Sequence, residues 1–190
     1  YLETNVVDKS ITPYINTGVI MNAQSKYRVT LDYQATGVVD NDIQFICGSY
    51  GAYKYSWHLW YSEGLKIFDN ETIKDKLIGL YDKYERRLIS ISNEGVLINN
   101  EPAYPYPIPM TSEVEIGILG VKWVSGGYYA LGSSQRCYSC IIEEDNIVIR
   151  NLIPCYRKED NVAGMYDLVS GEFYTNAGTG KFDVGPYIIG

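Results

Sequence analysis

The strongest constraint in this sequence is an alternation with a period of two. Across 27–34, Tyr27, Val29, Leu31 and Tyr33 fall on one side, and Arg28, Thr30, Asp32 and Gln34 on the other. Successive residues of an extended strand point to opposite faces, so this segment reads as a strand with one buried and one solvated face. Comparable runs recur at 43–47, 53–61, 87–92, 96–99, 113–119, 137–142 and 146–153. Turn-forming stretches separate them, among them Ser92-Asn93-Glu94-Gly95, Asn99-Asn100-Glu101-Pro102 and Glu144-Asp145-Asn146. Many short strands with such turns imply an all-β fold, a two-sheet antiparallel β-sandwich with layers about 10 Å apart. One stretch departs from this. Over 72–84 the apolar residues Ile73, Leu77, Leu80, Tyr81 and Tyr84 follow a helical spacing, which predicts a short helix or irregular crossover. The four prolines of 102–109 predict an extended loop or an edge strand.

At 190 residues the chain fits one domain, and no apolar run approaches the roughly 20 residues of a membrane-spanning helix. It opens on Tyr1 rather than Met, which reads as a segment of a longer or processed protein. Sixteen Lys and Arg against twenty-three Asp and Glu give a net charge of −7, the wrong sign for gathering phosphates. Nucleic acid is therefore excluded as an expected partner. His58 is the sole histidine, so sites that need paired imidazoles are excluded by counting.

Nineteen tyrosines outnumber all Lys and Arg together, and with four Phe and three Trp they point to a β-rich binder. Within 53–61, Tyr53, Tyr55, Trp57, Leu59 and Tyr61 form the apolar and hence core-facing set. Lys54, His58 and Trp60 are left on the outward or concave side. A Trp beside His and Lys suits a sugar, because the ring stacks on the apolar face of a pyranose while its polar neighbours bond the hydroxyls. Trp123, Tyr128 and Tyr129 flank Ser125-Gly126-Gly127 and form a second candidate cluster, expected in a loop at a sandwich edge. The competing reading is that these large rings fill the core.

Other chemistry is poorly supported. Cys137 and Cys140 have the spacing of a redox or zinc motif, but three residues apart on a strand they should face opposite ways, which leaves buried free thiols as the expectation. A disulfide among Cys47, Cys137, Cys140 and Cys155 stays open. No Gly-x-Ser-x-Gly elbow accompanies His58. Glu113 with Glu115, and Glu143 with Asp145, have the two-residue spacing that a glycosidase could use on one strand face, although solvated faces and turns account for them as well. Asp40 and Asp42 could offer oxygens to calcium or simply cap a turn. Gly178-Thr179-Gly180 lacks the further glycine and the helix of a phosphate loop and reads as a turn.

Several segments together carry a resemblance. They are Tyr1-Leu2-Glu3, Tyr14-Ile15-Asn16-Thr17-Gly18, Arg136-Cys137-Tyr138-Ser139-Cys140, the run from Leu152-Ile153-Pro154-Cys155 to Lys158, and the closing stretch 164–180, which begins Gly164-Met165-Tyr166-Asp167. These resemble the concanavalin A-like, laminin-G-like jelly-roll domains of phage tail or prophage structural proteins and of gut bacterial surface proteins. The resemblance implies a two-sheet jelly roll outside the cell, on a virion tail or bacterial surface, binding carbohydrate or a cell-surface receptor. Family members with glucanase activity carry Glu-x-Asp-x-x-Glu. Here Glu143-x-Asp145-x-x-Val148 lacks the last carboxylate, which argues against hydrolysis. In the closing stretch Met165, Leu168, Phe173 and Tyr174 are expected to anchor a structural clasp. The function expected is a non-catalytic binding module without cofactor. The alternatives are a purely structural assembly domain contacting other tail or surface-protein subunits, and a glycoside hydrolase with an atypical carboxylate pair.

Overall fold

A computed structural model describes residues 1–4, 13–38, 44–50, 57–61, 64–69, 76–79, 82, 84–123, 128–129 and 133–186. In chain order its first strands are β1 (Leu2–Thr4), β2 (Ile15–Asn16), β3 (Tyr27–Val38), β4 (Gln44–Tyr50), β5 (Trp57–Tyr61) and β6 (Leu65–Asp69). Next come β7 (Lys76–Gly79), β8 (Arg87–Ser92), β9 (Gly95–Ile98), β10 (Glu101–Tyr104), β11 (Gly117–Ile118) and β12 (Val121–Trp123). The last are β13 (Tyr128–Tyr129), β14 (Ser133–Glu144), β15 (Ile147–Tyr156), β16 (Ala163–Asp167), β17 (Phe173–Thr175) and β18 (Asp183–Val184). A ten-stranded sheet runs β10-β9-β8-β3-β14-β15-β16-β17, with β1 beside β14 and β18 beside β1. An eight-stranded sheet runs β13-β12-β4-β5-β6-β7, with β11 bridging β2 and β4. Among the described residues every pairing is antiparallel except β12 with β4.

The two sheets share one core. Val29, Leu31, Ile89, Ile91 and Cys140 of the larger sheet cluster with Cys47, Leu65 and Ile67 of the smaller. The alternation of 27–34 is realised: Tyr27, Val29, Leu31 and Tyr33 are buried and their neighbours half-buried. The hairpin turns have a local cause. Asn99 and Asn100 (φ 51° and 67°), like Asp145 and Asn146 (φ 50° and 65°), both adopt the left-handed conformation, whose twist matches antiparallel strands. The proline-rich stretch supplies β10, an edge strand, where a residue without an N–H costs no ladder bond.

Two expectations are corrected. In place of a helix over 72–84, residues 76–79 form β7, paired along β6 with Ile67 opposite Lys76 and Leu65 opposite Gly79. The open edge of β6 supplies backbone partners, and Leu77, part of the supposed apolar stripe, is exposed. Residues 72–75, 80, 81 and 83 lie outside the described set. The second correction concerns Cys137 and Cys140. A bulge at Tyr138 shifts the register so that Cys137 lies opposite Tyr33 and Cys140 opposite Leu31, returning both sulfurs to the core face.

All four cysteines are free, and Cys47, Cys137 and Cys140 are fully buried. Burial pushes the Cys137 thiol up to about 12 and raises Cys140 well above the usual thiol range. Cys155 is half-exposed. Ellman's reagent at pH 8 should therefore titrate Cys155 alone in the folded protein and all four thiols in guanidinium. More than one fast-reacting thiol in the native state would contradict this core.

Candidate functional site

Lys54, Asp40 and Asp42 lie outside the described residues. The strand register locates the backbones of the remaining candidates. On β5, Leu59 is paired with Cys47 and Ile67, both fully buried, so 57, 59 and 61 share the register side of those core residues. His58, opposite Gly48 and Phe68, and Trp60, opposite Phe45 and Lys66, occupy positions on the other face. Directly paired residues share a face. Because Trp123 is opposite Tyr50, two residues beyond Gly48, its position falls on the His58 side. Tyr129, opposite Val121, does as well, whereas Tyr128, opposite Lys122, falls on the reverse. Four of the five candidate positions with described backbones thus fall on one face of the smaller sheet. β4 alone separates β12 from β5, a span of about 10 Å at two strand spacings.

This arrangement differs from the expectation in two respects. Trp123, Tyr128 and Tyr129 belong to paired strands at the edge of the sheet rather than to a loop. The shared face is also not an open platform. Phe45 and Val121 on it are buried, and Phe45 packs edge-on against Tyr50 with ring centroids 6.2 Å apart. Tyr50 and Lys66 on the same face are half-buried. Among the described side chains of this face, Phe45 and Val121 are thus covered while Tyr50 and Lys66 reach solvent.

The carboxylates proposed for hydrolysis serve elsewhere. Residues 113–114 form a bend and 115 lies outside any strand, so the two-apart strand geometry is lost. Glu115 binds Lys122 at 2.5 Å, and that ammonium holds its carboxyl below the usual range, the wrong state for a general acid. Glu143 lies 3.8 Å from Arg28, and Asp145, in a turn, accepts the Lys26 N–H at 2.9 Å. No cluster of three or more His, Cys, Asp or Glu suited to a metal occurs among the described residues.

The motif segments meet in space as a clasp. Leu2 and Glu3 pair with Cys137 and Arg136, and Ile15 bridges Asn176. Met165 is buried as expected, but Leu168 is 55% exposed, and Phe173 and Tyr174 are only half-buried. The anchor is instead Asp167, a buried carboxylate that apolar patterning overlooks. It accepts the N–H groups of Asn151 (2.8 Å), Val169 (3.1 Å) and Ser170 (3.4 Å) and the Ser170 hydroxyl (2.8 Å). An Asp three residues before a Ser in a turn is the one local signal that could have revealed it.

The chain matches no family model, no curated protein and no solved structure.

Proposed function

We propose that this protein is a non-catalytic binding module that recognises carbohydrate or a cell-surface receptor, outside the cell on a virion tail or bacterial surface. In this reading the sandwich has concanavalin A-like jelly-roll connectivity. The supporting observation is the register of the smaller sheet, in which the positions of His58, Trp60, Trp123 and Tyr129 share one face within about 10 Å. Rings stack on pyranose faces, and a histidine among them can bond a hydroxyl. The engagement of Glu115, Glu143 and Asp145 in ion pairs and turns supports recognition without bond cleavage.

A glycan array of the wild-type chain tests the reading. Trp60→Ala or Trp123→Ala should lower the signal about tenfold, the loss of one stacking contact, without changing Tm. Wild-type binding that both variants retain in full would remove this face from the proposal. A second reading, a structural module docking other tail or surface-protein subunits, is favoured by the exposed residues Ile153, Tyr166, Leu168 and Val169 on β15, β16 and the turn beyond them. Its signature is lost assembly in Tyr166→Ala or Leu168→Ala with no array signal in the wild type.

A further inference from the structure

A concave feature lies on the larger sheet. Between the end of β15, the turn into β16, and the segment from β17 to β18 is a cleft of about 570 Å³, inside the roughly 300–1,000 Å³ range of small-molecule sites. Small residues create it: Ala163, Gly178 and Gly180 line it and carry little or no side chain to fill it. Tyr156, 41% exposed, contributes a ring. Asn161, Lys181 and Asp183 also line it, and their side chains have no hydrogen-bond or ion-pair partner among the described residues.

The cleft is ordered from beneath. Asn176 Oδ1 accepts the N–H groups of Tyr14 (3.2 Å) and Gly178 (2.8 Å), and its Nδ2 donates to the Gly180 carbonyl (2.8 Å), which sets the path of 176–180. Phe182 packs into the core and closes the cleft from below, while Lys181 and Asp183 on either side of it are exposed along the cleft. A site ordered before binding spends little conformational entropy on a ligand.

The lining selects a chemical class. Lys181 and Asp183 offset one another, which disfavours a phosphate, a sulfate or a cation. Together with Asn161 they offer both donors and acceptors, as hydroxyl groups require. The ring of Tyr156 suits the apolar face of a pyranose. We propose that this cleft is a second saccharide site, taking a neutral pyranose oligosaccharide. The inference rests on the carbohydrate reading above.

The test is an amide chemical-shift titration of the ¹⁵N-labelled chain with maltotriose, cellotriose and chitotriose. At least one should give saturating shifts at Ala163, Gly178, Gly180 and Lys181. Tyr156→Ala should weaken that binding about tenfold. Thr175→Trp, which fills the cleft from an exposed position, should abolish the shifts while the rest of the spectrum stays folded, and Lys181→Ala checks the polar contribution independently. Trp60→Ala should leave them intact. Shifts confined to 45–50 and 117–129 would overturn the cleft proposal and keep the carbohydrate reading. No shift with any of the three sugars would overturn the cleft proposal, and if array signal persists the carbohydrate reading survives it.

Discussion

Asp167→Ala should destabilise the protein by about 3–5 kcal/mol at pH 7, measured by guanidinium unfolding. The substitution removes one buried acceptor and leaves three backbone N–H groups and the Ser170 hydroxyl without it. It also removes the carboxylate facing Arg150, whose Nε lies 3.8 Å from Oδ2 and also donates to the Thr17 carbonyl. The pH dependence carries a separate signature. Burial by itself would raise the carboxyl pKa, but the donated hydrogen bonds outweigh it and hold the group below its usual value. A depressed folded-state pKa adds stability that is present above the unfolded value, near 3.9, and lost as pH falls through the lower folded value. Wild-type stability should therefore decline below about pH 4. Asp167→Asn should lose stability at neutral pH and show a shallower decline in acid. Parallel acid profiles for the two proteins would exclude Asp167 as the titrating anchor.

Gln135→Ala should cost about 2–4 kcal/mol. Gln135 is buried on β14 of the larger sheet, and its Nε2 donates to the carbonyls of Phe45 (3.1 Å) and Leu119 (3.0 Å). Phe45 belongs to β4 of the smaller sheet, so the side chain ties the two layers together. Leu119 is held at φ 62°, a conformation unfavourable for a branched residue, and a fixed carbonyl helps to stabilise it there. Gln135→Leu should recover the packing but not the hydrogen bonds, and so fall between wild type and Ala. Hydrogen exchange at the Leu119 amide, which bonds the Ile46 carbonyl, should accelerate in both variants. A change below about 0.5 kcal/mol in Gln135→Ala would show that the layers do not depend on this link.

Strands β3, β8, β9 and β15 were largely legible in the sequence, because alternation and hairpin turns are written in consecutive residues. So was the edge position of β10, since proline lacks the donor that an inner strand needs. The site was legible only in part. Trp60 and Trp123 are sixty-three positions apart, and no local pattern says that β4 will lie between their strands or that its register will put both positions on one face. Nothing local announced that Phe45 and Val121 would be covered on that same face. The cleft escaped for a related reason: its lining residues look like ordinary turn and strand-end residues until β15, β17 and β18 converge.

The residues alone decided the β class, the buried face of β3 and the hairpin turns, since each follows from backbone geometry within a few consecutive positions. Tertiary pairing decided that Cys137 and Cys140 share the core side, that 76–79 extends a sheet, and that a carboxylate anchors the closing turn. A bulge moves every later side chain to the other face. Whether one forms depends on the partner strand's hydrogen bonds and packing, which lie far away along the chain.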